Sequence, residues 1–214
     1  MIVECDSDDF FADNSFNNIK KSFNEIKDDP TVYAMCFLKY DLKGNNIGKE
    51  FKKRKTTMFD LYFKDGEDGE KALVYITEVR KKYKYKLEKS ERFGTEARLH
   101  HEMDLNYSII CFNEPLMLCE YQKDGYTKNI DKIFMENPYG YYEYFKEILN
   151  RNMNGVLIKK RLYVIKHYIL FKTLTNEKSG IKNIKDLKNK LLYLILLAPG
   201  TVVTKRRYKH ERSL

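Results

Sequence analysis

Three carboxylates stand within four residues at Asp6-Ser7-Asp8-Asp9, close to the start of a 214-residue chain. A short apolar lead, Met1-Ile2-Val3-Glu4-Cys5, precedes them, and Phe10-Phe11-Ala12-Asp13-Asn14 follows. Unpaired charge is too costly to bury, so the three cannot all point into a core. At the end of a buried strand they would converge in the crevice where open α/β sheets bind ligands. Hard oxygen ligands of this kind suit Mg²⁺ or Mn²⁺, which in turn bind phosphates. Extended backbone through Asp8 would put Asp6 and Asp8 on the same side by strand alternation. A solvated strand end leading into a helix N-cap accounts for the same residues, because Asp is favoured in turns and caps.

Other reactive side chains carry weaker signals. Cys5, Cys36, Cys111 and Cys119 show no CxxC spacing, and with His100 and His101 they form no zinc knuckle. They read as reduced, half-buried thiols of a cytosolic protein. His100 and His101 are candidate donors to a diphosphate or to a metal, but paired histidines on a charged helix are more often surface residues. Arg161 and His167 have a ribonuclease-like pairing that chance produces often.

The elements that would position these groups follow from periodicity and punctuation. Ile2 to Cys5 reads as a strand end, and Asn14 to Lys27 as a helix, with Phe16, Ile19, Phe23 and Ile26 at helical spacing. Thr31 to Tyr40 is β-rich, with Val32, Ala34, Cys36 and Leu38 alternating. Leu42 to Asn46 is a turn by its Gly and Asn. Thr57 to Phe63 is a short helix or strand, Asp65 to Gly69 a loop, and Ala72 to Ile76 apolar. Tyr107 to Glu120 reads as a strand pair broken at Pro115. Beyond it the clearest segments are helical: Tyr141 to Leu149, Leu157 to Leu174 and Ile184 to Leu197, punctuated by Gly180 and Pro199-Gly200.

The aromatic content (Tyr 17, Phe 13) excludes a disordered chain, and the length allows one domain plus an appendage. The N-terminus is acidic and lacks the apolar region of a secretory signal. The longest apolar run, Leu191 to Ala198, falls short of the roughly 20 residues that span a bilayer. Charge is unevenly placed. Residues 151–214 hold 16 Lys and Arg against 3 Asp and Glu. With the whole chain at +9, residues 1–150 are left at −4. Such a basic C-terminal segment points to an anionic surface, either lipid headgroups or nucleic acid.

Several segments together resemble the family 2 glycosyltransferases of the bacterial branch that builds capsule, O-antigen and other surface glycans. Ile2 to Asn14 looks like that family's hydrophobic strand, DxD motif and helix start. Gly69 to Tyr75 and Val79 to Tyr83 look like its stretch leading into the active-site loop, and Glu91-Arg92-Phe93-Gly94-Thr95-Glu96 like its "E-K/R-F-x-x-E" segment. Phe112-Asn113-Glu114-Pro115-Leu116 with Glu120 to Asn129 resembles the "NEPL…EY…DG-T-N" signature, and Asn137-Pro138-Tyr139-Gly140-Tyr141 also fits. Order and spacing carry the resemblance, which is loose after about residue 150.

The resemblance implies an α/β fold. Residues 1–125 would be the C-terminal part of a GT-A (Rossmann-like) catalytic domain, and residues 126–214 a helical, basic C-terminal region. The family's fold begins with a nucleotide-binding half of roughly a hundred residues ahead of the DxD strand. The chain is therefore expected to be a C-terminal part, truncated and weakly active or inactive alone. The activity implied is inverting, metal-dependent hexosyl transfer from a nucleotide-sugar donor to a glycan or lipid-linked acceptor. Mg²⁺ or Mn²⁺ would neutralise the diphosphate leaving group, with Asp8 ahead of Asp6 as direct ligand and Asp9 third. Glu96 would be the general base and Glu91 the alternative, although a first-turn acid stabilised by the helix dipole also explains Glu96. Arg98 is a candidate phosphate partner, and Asp124 and Thr127 border the site without an assigned role.

Lipid-linked acceptors would make peripheral contact with the inner face of the cell membrane natural for a cytoplasmic enzyme. The basic stretch Val156 to Leu174 has the amphipathic look of an interfacial helix, and equally that of an ordinary packed one. Lys205-Arg206-Arg207-Tyr208-Lys209 would reinforce contact electrostatically. The competing reading is a non-catalytic binding module that uses the basic helical tail on nucleic acid or an anionic surface. Nucleic acid is not the expected partner, because such binders show a basic face with aromatic platforms, whereas here the basic segment is mostly helical and apolar and the candidate site acidic.

Overall fold

The structure is a computed structural model that describes residues 1–89, 91–120 and 129–208. The chain is mixed α/β. It divides into two compact units, one within Met1–Lys84 and Leu99–Gly125, the other within Tyr85–Arg98 and Tyr126–Leu214. The segment Tyr85–Arg98 thus belongs with the helical unit, although the chain returns to the first unit directly after it.

The first unit is built on β3 (Val32–Asp41), whose residues Val32 to Lys39 are all buried. A run buried on both faces needs cover on both sides, and the flanking helices supply it. Ala34, Cys36 and Leu38 share one cluster with Met58 and Leu61 of α2 (Met58–Phe63) and Leu99 and Met103 of α4 (Glu96–Met103). Val32, Met35 and Phe37 share the other with Ile19 and Ile26 of α1 (Ser15–Ile26). Ala34, Cys36 and Leu38 alternate as expected, but Val32 falls on the α1 side with Met35 and Phe37, because the strand register shifts between Val32 and Ala34.

Around β3 the described strands run in the order β1 (Ile2–Val3), β5 (Lys71–Tyr75), β3, β6 (Ser108–Cys119), β2 (Asp9–Phe11), and β4 (Lys55–Thr56) also pairs with β6. β3 and β6 are parallel, and the remaining pairings are antiparallel. The expected break at Pro115 does not occur, and β6 continues through it. The register against β3 jumps from Phe37↔Phe112 to Leu38↔Pro115, so Asn113 and Glu114 form a bulge. A bulge is where a strand tolerates proline, which has no N–H to donate. The Asn113 side chain uses the bulge to accept from the Phe51 N–H (2.7 Å) and donate to the Phe51 carbonyl (3.2 Å). A short helix, α3 (Thr77–Arg80), follows β5.

The second unit contains α5 (Ile130–Glu136), α6 (Pro138–Leu149), α7 (Ile158–Leu174), a 3₁₀ turn (Gly180–Asn183) and α8 (Leu187–Arg207). α7 buries Val164, Ile165, Tyr168, Ile169 and Phe171, so most of its apolar side chains are spent on packing, while Ile158 and Tyr163 stay exposed. α8 does not stop at Pro199-Gly200 but runs through both. There α8 approaches α7 so closely that a Cβ on Gly200 would meet the Ile169 methyl at 3.0 Å. No helix among the described residues is long and apolar enough to cross a membrane.

Candidate functional site

The acidic cluster folds as a turn, not as an extended strand end. The Asp9 N–H donates to the Asp6 carbonyl at 3.1 Å, with Ser7 and Asp8 at the corner. Strand alternation therefore does not relate Asp6 to Asp8, because β1 ends at Val3 and β2 begins at Asp9. Asp9 opens β2 opposite Cys119, which fixes its side chain against the end of β3.

There it meets Lys39, which the sequence reading did not single out. The Lys39 ammonium lies 2.8 Å from Asp9, 3.3 Å from Glu70 and 3.9 Å from Asp6. The Lys39 and Asp9 side chains are 9% and 6% exposed, whereas that of Asp6 is 74% exposed. Burial disfavours charge on Lys39, but the Asp9 hydrogen bond and the surrounding acids outweigh it and hold its pKa above the ordinary value. Burial, then the neighbouring Asp9, pushes the Cys119 thiol up to about 12, which disfavours its thiolate. A lysine closing an otherwise apolar run of eight was the available signal for Lys39.

Asp9 is thus committed to Lys39. Asp8 makes no hydrogen bond or ion pair with a described residue, and Asp6 touches Lys39 only at the limit of an ion pair. Among the described residues no three His, Cys, Asp or Glu side chains gather to hold a metal ion. Mg²⁺ does not require such a cage, since it is usually held by one or two carboxylates with phosphates and water. Asp8 and Asp6 fit that sparse donor set, and Asp9 does not.

The two glutamates lie in different settings in the helical unit. Glu91 accepts from the N–H groups of Tyr139 (2.5 Å) and Gly140 (2.7 Å) at the start of α6. Pro138 occupies the first helical position and has no N–H, so Glu91 satisfies the first two donors the helix offers. Gly140 leaves room for this, because a Cβ there would sit 3.0 Å from the carboxylate. Burial raises the Glu91 pKa, and the two backbone bonds oppose that rise. Asn137 completes the clasp by accepting from the N–H groups of Arg92 and Phe93 at 3.1 and 2.9 Å. The Glu91-Arg92-Phe93 and Asn137-Pro138-Tyr139-Gly140 segments, separate motifs in the sequence, lock to each other. Glu96 opens α4 and is exposed.

Other candidate residues have structural partners. Arg98 donates to Glu147 (2.7 Å) and Glu88 (2.7 Å), so its guanidinium is already taken up by carboxylates. His100 and His101 are buried in the first unit, contrary to the surface expectation. His100 Nε2 lies 2.7 Å from the Tyr75 hydroxyl, and burial, then nearby Arg80, lowers its pKa to about 4. His101 packs its ring against the edges of Phe59 and Phe63. Arg161 donates to the Met153 carbonyl and the Asn189 side chain, and His167 pairs with the Tyr163 carbonyl within an aromatic cluster. The two therefore have separate partners. Asp124 and Thr127 lie outside the described residues.

No family model, curated protein or solved structure matches this chain.

Proposed function

We propose that the Asp6–Asp9 turn is a metal–diphosphate site. On that reading the protein is an inverting, metal-dependent hexosyltransferase of the GT-A, family 2 type, using a nucleotide sugar and a cell-surface glycan precursor. The observation that carries the site is the division of labour within the turn. Asp9 is locked to buried Lys39, while Asp8 has no partner among the described residues.

In this reading Asp8 and Asp6 hold Mg²⁺ or Mn²⁺. When bound, the ion neutralises charge developing on the departing diphosphate. The Asp9–Lys39 pair keeps the turn in place. The resemblance makes Glu96, the exposed carboxylate of the two candidate glutamates, the general base that would accept the acceptor hydroxyl's proton in a single inverting displacement. Glu91 positions α6 and takes no proton.

Calorimetry of Mn²⁺-dependent pyrophosphate binding by the 214-residue chain and its Asp8→Asn variant tests the site. Binding weakened at least about tenfold in the variant, as expected on loss of one charged ligand, supports it. Equal binding by both proteins, or none by the parent, removes Asp8 from the role. Transfer itself is tested by metal-dependent release of nucleoside diphosphate from a panel of nucleotide sugars.

A further inference from the structure

Helix α8 is apolar on two faces. One face buries Tyr193 and packs closely against α7 through Gly200. The other exposes Leu187, Leu191, Leu194, Ile195 and Val202, each between 49% and 69% accessible. At the helical repeat these five fall within about 100° of arc, so they form one stripe roughly 22 Å long. Scattered exposed leucines need no explanation, but a continuous aliphatic stripe on a surface helix does.

The charges around the stripe narrow what covers it. Lys182, Lys185 and Lys188 are exposed around its start, and Lys205 and Arg206 at its end. The one acidic residue between positions 182 and 207, Asp186, is occupied: it caps Asn189 of α8 and faces Arg161 at 3.5 Å. A second copy of the chain docking on this stripe would bring its own lysines against these. Nucleic acid would meet the cations, but single-strand binders stack bases on aromatic rings, and every exposed residue of the stripe is aliphatic. An anionic bilayer satisfies both features, with acyl chains for the stripe and headgroup phosphates for its ends.

We propose that α8 lies in the plane of an anionic membrane surface, with Leu187, Leu191, Leu194, Ile195 and Val202 buried between headgroups. This moves the interfacial role from α7, which buries Val164, Ile165, Tyr168, Ile169 and Phe171, to the next helix. The surface consists of residues of α8 alone, none of them given a part in sugar transfer, so its test does not depend on that reading.

The chain contains no tryptophan, so Ile195→Trp introduces a single reporter on the stripe. It is mixed with vesicles of phosphatidylglycerol and phosphatidylcholine in equal parts, and with phosphatidylcholine vesicles. The expected result is a blue shift of its emission and quenching by brominated acyl chains with the anionic vesicles, and a much weaker response with the neutral ones. In co-sedimentation of the otherwise unaltered chain, Leu191→Gln with Leu194→Gln should weaken binding at least about tenfold, with unchanged circular dichroism. No shift with anionic vesicles overturns the proposal. So does binding that the two glutamines leave intact. A concentration-dependent dimer that the same substitutions abolish assigns the stripe to a second copy and equally overturns it.

Discussion

Asp9 and Lys39 form an ion pair at 2.8 Å whose two side chains are 6% and 9% exposed, although 30 positions separate them. Removing one partner of such a pair strands the other charge away from water, which typically costs more than the pair is worth. Lys39→Met is therefore expected to lose about 3 kcal/mol in urea unfolding, whereas Asp8→Asn should stay within about 0.5 kcal/mol of the parent. The pH dependence has a definite sign. A lysine pKa raised in the folded state stabilises fully below the unfolded value of about 10.4, and the contribution fades as pH rises through the raised value. The pair thus contributes throughout the neutral range. A Lys39→Met variant as stable as the parent would show that Asp9 is solvated after all.

His100 gives the opposite dependence. Its folded pKa of about 4 lies below the unfolded value of about 6.5, so the unfolded chain binds the proton first. Stability is full above about pH 6.5 and falls as pH drops toward 4, by up to about 3 kcal/mol. Burial also lowers the His167 pKa, which acts in the same direction. Unfolding midpoints between about pH 7 and 5, above most carboxylate titrations, should fall with acidification, and His100→Gln should flatten the slope in part. A slope identical in parent and variant would assign the acid sensitivity elsewhere.

Much of the scaffold was legible because it is repetitive. The apolar run into β3 and the spacing of Ile19, Phe23 and Ile26 on α1 each report one element's own burial. The site was less legible because its geometry is set by partners distant in sequence. Nothing local tells an extended Asp6–Asp8 from a turn, and that difference decides which carboxylate Lys39 claims. His100 and His101 looked like surface residues because their neighbours on α4 are charged, yet Tyr75 and the phenylalanines of α2 draw them inward. The expected stop at Pro199 failed for the same reason, since packing of Gly200 on Ile169 outweighs a missing backbone donor.

Glu96 and Glu91 should separate by the kind of damage they cause. Glu96 is exposed on the first turn of α4, so Glu96→Gln is expected to unfold within about 0.5 kcal/mol of the parent. If Glu96 is the base, the same variant loses turnover with unchanged pyrophosphate binding. A variant with lost binding but intact single-turnover transfer would contradict that assignment.

The Glu91–Gly140 contact offers a coupling measurement. Glu91 caps both available donors of α6, so Glu91→Ala is expected to cost about 1–2 kcal/mol. Gly140→Ala adds a methyl 3.0 Å from the same carboxylate, which must then shift and weaken its bonds. On its own the substitution should destabilise by about 1 kcal/mol despite the better helix propensity of alanine. With Glu91 already alanine the crowding is gone and only the propensity gain remains, so Gly140→Ala should become neutral or stabilising. The two effects would then be non-additive by about 1 kcal/mol or more, read from urea midpoints of the four proteins. Strict additivity would mean that Glu91 and the α6 N-terminus do not meet as described, and with that the clasp between the two motif segments would fall.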